Sequence, residues 1–461
     1  MGNPGWNWDT VLPYFKKSPH FTPPNTTNNS QITFDPSLYN PNAGPLQISF
    51  GEYTQPDDEF WYPALQEIGL PKNQDFNGGN IIGVAHGTTS INPADESRSS
   101  AYTSFYAAAK HRPNLHVFSN TMVEQILIRS ASSTTEAYGV KYRNAAGVSG
   151  TAFAAKEVIV STGAIQTPQL LMLSGIGPKA ILDKFNIPAH VYNDRVGQRL
   201  QDHPSFYVNV EVPDSLSTAG LLFRNTTTFN ELLAQYKGNH TGPLASMNGD
   251  AFGFQCFTDA QLSAMGAQDL ITLGTGWPNV EYLLLPAFSN PGFPTPPNAT
   301  GNYLTVTVAL VSPTSHGSVS IALTSIDDPP VIDVNYFATP ADRNVTVQGL
   351  KNALVLVASD AFRPVFLGRD KVVPPPSVST NADMLEYVRN VTTTLWHVSG
   401  TAAMPQASGG VVDNKLGVYG VKNLRVVDAS IQPVISNQHL QVVMYMIAER
   451  AAEFIKAQYS Y

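Results

Sequence analysis

The chain has 461 residues, a formal net charge of −8, 43% hydrophobic and 13% charged residues, 34 Gly and 35 Pro. That length exceeds one ordinary hydrophobic core and points to two interleaved lobes, while the Gly and Pro content implies many structured turns. The negative charge, with no Lys/Arg run, excludes a polyanion as the natural partner, and no apolar stretch approaches the roughly 20 residues of a membrane span, so neither nucleic acid nor membrane is expected.

Residues 1–50 are rich in Asn, Pro and Thr and read as a loop-dominated cover, with one amphipathic stretch from Trp8 to Phe15. From Asn114 short strands are predicted at Leu115–Phe118, Val123–Ile128 and Tyr138–Tyr142. The apolar run at 157–161 has the character of a buried parallel strand. A helix follows, with Thr167 as N-cap, Pro168 as first helical residue and Gly175 as stop. Between Phe206 and Tyr387 alternating segments such as 206–212 and 304–310 favour an antiparallel sheet, and Tyr303–Val311 with Ser318–Leu323 reads as a long-loop hairpin. The buried-strand pattern returns at Leu424–Val427, and a helix over about Gln441–Ala457 buries Val443, Ile447, Ala451 and Phe454. The expected fold class is therefore an α/β lobe assembled from sequence-distant pieces with an inserted, mainly antiparallel β lobe. Ligands sit beyond the carboxyl ends of parallel strands, which brings 161–163 and 428–430 to one edge.

Gly175-Ile-Gly177-Pro-Lys-Ala180 matches the dinucleotide fingerprint in letters only, because a helix rather than a strand precedes it. Phosphate-loop, serine-elbow and zinc spacings are absent, and no metal is expected. Cys256, the single cysteine, reads as a small buried residue. Seven glycosylation sequons (Asn25, Asn28, Asn225, Asn239, Asn298, Asn344, Asn390) are little more than chance supplies in so Asn- and Thr-rich a chain. His397, in Leu395-Trp-His-Val-Ser-Gly-Thr401, and His439, just before the last helix, are the candidate proton-handling pair. Ordinary hydrogen-bonded core histidines are the competing reading for both, and the other eight, His203 among them, read as structural.

Several ordered segments change that balance. They are Arg98-Ser-Ser-Ala101, Arg112-Pro-Asn-Leu115, GAIQTPQLLMLSGIG at 163–177, VGQRLQDHP at 196–204, WHVSGT at 396–401, and VVDNKLGVYGVKNLRVVDAS followed by IAERAA. Together they resemble the glucose-methanol-choline (GMC) oxidoreductases over the whole chain, and the HLQ ending at Gln441 most resembles the fungal aryl-alcohol-oxidase-like branch. The resemblance implies FAD as cofactor, with Val123 near the adenine, Gly163 and Asp428-Ala429 along the diphosphate and ribityl part, and Trp396, His439 and Gln441 near the isoalloxazine. It implies an alcohol oxidase or dehydrogenase in which His397 takes the hydroxyl proton of a small alcohol, His439 binds the same oxygen, and hydride passes to flavin N5. Oxygen or another acceptor would then reoxidise the flavin. Non-redox lyases and cyclases of the same fold, and a flavin-free inactive relative, are the alternatives.

The family's opening strand, Gly-rich turn and helix, which hold the ADP half of FAD, have no counterpart here, so an N-terminally incomplete FAD lobe is expected. Secretion fits the resemblance, although Met1–Trp6 lacks the layout of a signal peptide. The expected division is a cover at 1–85, part of the FAD lobe at 86–205, the substrate lobe at 206–394, and the rest of the FAD lobe at 395–461.

Overall fold

In the computed structural model, alternation of β-branched and polar residues builds strands and periodic apolar stripes build helices. It describes residues 2–24, 32–40, 43–131, 134–246, 251–274, 276–290, 296–298, 300–406 and 409–460. The first two sequons, at Asn25 and Asn28, lie outside the described residues. In chain order the elements that position the site are α1 (Trp8–Phe15), α2 (Asp58–Glu67), β1 (Gly83–His86), β2 (Thr121–Ala131), β3 (Thr134–Asn144), β4 (Ser149–Phe153), β5 (Val158–Val160) and α3 (Gly163–Leu173). Next come β6 (Gln198–Leu200), β7 (Pro204–Val212), β8 (Ala251–Gln255), β9 (Val280–Leu285), β10 (Asn302–Leu310), β11 (Gly317–Ser320) and β12 (Val331–Asp333). The chain closes with α4 (Pro340–Leu356), β13 (Val372–Val373), α5 (Asn381–Val391), β14 (Thr393–Thr394), β15 (Leu424–Val426) and α6 (Gln441–Tyr459).

One lobe is a seven-stranded antiparallel sheet in the order β13-β7-β10-β9-β8-β1, with β14 also pairing with β7. Its register runs from Ser205 opposite Ala309 to Val212 opposite Asn302. Helices α2 and α4 cover the sheet, and Gly349 lets α4 come close, since a Cβ there would stand 3.2 Å from Val308 Cγ1. Trp61, Phe206, Tyr282 and Phe362 are buried in this core. Each such side chain contributes about 1.5–3 kcal/mol by leaving water. Because β1 belongs to this sheet, the boundary expected at 85/86 falls inside a strand.

A second, separate core unites β5, α3, β15 and α6 with the residues around 411–421. Here β5 and β15 pair in parallel, Val158 with Leu424 and Val160 with Val426, as the two apolar runs imply. Three sequence expectations need correction. Helix α3 begins at Gly163, a turn before Thr167, and so holds Pro168 in its interior. The cost of that proline is a carbonyl without its usual donor, and Thr401 Oγ1 supplies the missing hydrogen bond to Ala164 O at 2.6 Å. The hairpin does not form: β11 pairs with β6 and β12, because the loop after β10 is drawn onto the first turn of α4, where Asp342 accepts from Thr314 N and Ser315 N. The segment Leu115–Phe118 makes no ladder, and with no strand beside it among the described residues its side chains lie in solvent.

Candidate active site

The loop that carries His397 is stitched between two other segments. Gln201 and Ser399 exchange backbone hydrogen bonds at 3.0 and 2.8 Å, and Leu395 N donates to His203 O at 3.0 Å. On the other side Gly400 N, Ala402 N and Met404 N donate to the carbonyls of Ala429, Ser430 and Ile431. Gly400 (φ +88°) has to be glycine, because a Cβ would stand 2.6 Å from the Arg199 carbonyl oxygen. Asp202, itself buried, accepts the backbone N–H groups of both His203 and His397 at 2.9 Å, and its second oxygen accepts from the Tyr336 hydroxyl.

These ties place the His397 and His439 rings 5.1 Å apart, at the junction of the two lobes. His439 is anchored from the opposite lobe: its Nε2 lies 2.9 Å from Oε1 of Glu281, a fully buried residue of β9, and Phe252 of β8 meets its ring edge-on at 5.5 Å. Behind His397 stands His203, with the two Nδ1 atoms 2.9 Å apart.

The two expected histidines differ in their protonation preference. Burial, reinforced by the positive charge of His439, pushes His397 down to about 3, so it stays neutral. Burial also opposes a proton on His439, but the charge of Glu281 and its hydrogen bond outweigh that and raise its pKa. His439 is nonetheless almost half accessible, and it lines a cavity of about 890 Å³. Trp8, Phe15, Tyr39, Phe76, Phe252 and Trp277 give this cavity an aromatic wall. Neither Glu281 nor His203 was singled out from sequence. The available signals were an acidic residue within an otherwise apolar strand, VEYLLL, and a histidine inside the quoted VGQRLQDHP segment.

The residues expected to hold a flavin are arranged as follows. Gly163 (φ +80°), at the carboxyl end of β5, has no atom within 4 Å of where a Cβ would sit, leaving space on that side. The Asp428 carboxylate, by contrast, is spent internally: one oxygen accepts from Gly163 N at 2.9 Å and from Thr167 Oγ1 at 2.6 Å, the other from Ser430 N at 2.8 Å. The Asp428 side chain is therefore committed within the protein. Trp396 (φ +59°) presents a ring that is 78% exposed, Val123 is half-buried, and Gln441 accepts from Ser90 Oγ at 2.8 Å. The space beside Gly163 and the exposed Trp396 ring fit a cofactor with a flat ring system. Among the described residues no cluster of His, Cys, Asp and Glu is suited to a metal ion.

Comparison with known proteins agrees with this architecture. Family models described as GMC oxidoreductase match residues 1–205 and 313–448. The chain is 37% identical to dehydrogenase pkfF of Emericella nidulans over 99% of its own length and 74% of that protein, and 33% identical to patulin synthase of Aspergillus clavatus over 98% and 73%. Its fold superposes on formate oxidase of Aspergillus oryzae with a TM-score of 0.87 at 29% identity, covering 99% of this chain and 79% of the other. With two matching family models and relatives above 30% identity along nearly its whole length, the chain belongs to the GMC oxidoreductase family and is an oxidoreductase.

Proposed function

We propose that this protein is an FAD-dependent oxidoreductase that oxidises the CH–OH group of a small, uncharged alcohol, with His397 as the base. FAD, when bound, supplies the acceptor for the hydride. Gly163, Asp428 and Ala429 would hold it through backbone, with Val123, Trp396, His439 and Gln441 along its remaining length.

The observation that carries the reading is the unequal pair of imidazoles, His439 on the cavity wall and His397 with its ring 5.1 Å from that of His439. His397, neutral and buried, accepts the hydroxyl proton of the substrate, while His439, which Glu281 keeps inclined to hold a proton, donates a hydrogen bond to the same oxygen. That donor stabilises the negative charge that grows on the oxygen as its proton leaves, and the aromatic cavity wall keeps water from competing for it. One base and one fixed donor on a single oxygen are what hydride departure from the attached carbon requires.

Stopped-flow flavin reduction on FAD-loaded protein, with methanol, ethanol, 2-propanol and benzyl alcohol as the panel, tests this. His397→Ala should lower the reduction rate by about 10²- to 10⁴-fold, the loss typical of a general base, with much less effect on substrate affinity. His439→Asn should be milder than His439→Ala, because an amide still reaches the oxygen. A near-normal rate in His397→Ala would remove that residue from the mechanism.

A further inference from the structure

The fully buried His203 lies against His397, outside the step just described, with their Nδ1 atoms 2.9 Å apart. At that distance the contact is a hydrogen bond, and between two neutral imidazoles it contains one proton, so one ring donates and the other accepts. The choice decides what His397 can do. Its Nδ1 is occupied by His203, which leaves Nε2 as the nitrogen that can meet a substrate. If His203 donates, His397 carries its proton on Nε2 and has no lone pair to offer a substrate hydroxyl. If His397 donates, Nε2 is bare and basic.

We propose that His203 is a positioning residue that accepts a hydrogen bond from His397 Nδ1–H and thereby holds the His397 Nε2 lone pair ready for the substrate proton. The proposal rests on the reading of His397 as base.

Three observations carry it. Both rings are neutral, His203 being held well below the ordinary histidine range by burial and by the neighbouring His397 and His439. A neutral His203 that accepts at Nδ1 must carry its own proton on Nε2. That atom is buried and has no hydrogen-bond partner among the described residues, and the backbone group that acts on the ring, at Val311, favours a proton on it. The Val311 amide already donates to Asn279 O at 3.0 Å, so its carbonyl is the part that faces a donor. Finally, Asp202 holds the main chains of His203 and His397 together through one oxygen, so the ring-to-ring contact is built into the fold rather than left to rotamer choice.

The same bond serves the step itself. As the substrate O–H bond breaks and the proton joins His397 Nε2, His397 becomes an imidazolium whose Nδ1–H still points at the His203 lone pair, so the new charge has an acceptor in place. A wrong tautomer behind a catalytic histidine costs up to about 10⁴-fold where a carboxylate orients the ring, and outer partners of functional histidines are commonly worth about 10- to 100-fold. The neutral His203 belongs with the smaller effect.

The deciding experiment is ¹⁵N NMR of histidine-labelled, FAD-loaded protein, which reads the tautomer without turnover. His397 should show a protonated Nδ1 and a bare Nε2, and the reverse pattern in the wild type overturns the proposal. His203→Leu keeps bulk but removes the acceptor, whereas His203→Asn sets a side-chain oxygen near the place of Nδ1. With the panel alcohol that reduces wild-type flavin fastest, the leucine variant should lose about 10- to 100-fold in reduction rate with little change in substrate affinity. The asparagine variant should recover most of the loss and keep the wild-type tautomer. A leucine variant with wild-type rate and tautomer also overturns the proposal, and if it does not fold, the wild-type and asparagine spectra still decide. A normal rate in His397→Ala would sink the base reading alone, since the tautomer would still be read directly.

Discussion

The rings of His397 and His439 stand 5.1 Å apart yet favour opposite protonation states: burial and the charge of His439 keep the first neutral, while the Glu281 carboxylate favours a proton on the second. That asymmetry has a cost that unfolding reveals. His397 has a folded value of about 3 against an unfolded one near 6.5, and His203 is shifted in the same direction. Such groups stabilise the fold above the unfolded value, and this stability is lost as pH falls from 6.5 towards 3, because the unfolded chain binds protons that the native core refuses. His439 has the opposite sign: its raised folded value gives stability that is complete below 6.5 and fades at higher pH, so it adds no slope on the acid side. We therefore expect the urea midpoint to fall between pH 7 and pH 5, with each buried neutral histidine adding up to about 1.4 kcal/mol per pH unit, and His203→Leu to flatten the slope. A midpoint that is equal at both pH values would show that both rings are already charged in the native state. At this scale sequence revealed the pair but not its partners. His397 and His439 lie in long ordered motifs, whereas the neighbourhood of His203 with His397 spans 194 positions and exists only once 201 and 399 have paired. The importance of Glu281 likewise depends on which face of β9 turns inward.

Elements formed where periodicity was strong and shifted where a distant side chain intervened. The parallel pair β5 and β15, the antiparallel β7 and β10, and the last helix were all legible, since their apolar patterns are local. The start of α3 was not, because its capping is tertiary: Asp428 satisfies the first amide, and Thr401 the carbonyl that Pro168 strands. Thr167, read as the cap, donates its hydroxyl to the same carboxylate instead. Thr401 is fully buried, so Thr401→Val keeps shape while leaving the Ala164 carbonyl without its donor. That substitution should lower stability by about 1–3 kcal/mol, the usual penalty for an unsatisfied buried polar group, measurable as a lower urea midpoint at unchanged slope. An unchanged midpoint would mean that α3 needs no help at its proline. The misread hairpin has a similar cause, since the Asp342 carboxylate that diverts the chain after β10 stands 28 residues from its partner Thr314.

Across the whole molecule the two cores are unequal in cover. The antiparallel sheet is packed by helices, and its strands are buried almost throughout, as in β10. The α/β lobe shows apolar side chains where a parallel sheet would bury them: Ile159 at the centre of β5 is 45% exposed, and among the described residues β15 is the only strand paired with β5. Val117 and Phe118, in the segment expected to be a strand, are 61% and 74% exposed, and Phe153 in β4 is 75% exposed. An unpaired strand edge with open backbone groups beside exposed apolar side chains favours association with like edges. The 461-residue chain should accordingly sediment as larger species with rising concentration and bind a hydrophobic dye in its folded state. Ile159→Lys places a charge at the middle of the open strand, a position where lysine blocks edge-to-edge pairing, and Phe118→Ser removes the largest exposed ring of the unformed strand. Both substitutions should shift the sedimentation profile towards monomer without lowering the urea midpoint, because neither side chain is packed in a core. A wild-type chain that is monomeric at every concentration and takes up no dye would show that some other surface covers this edge in solution.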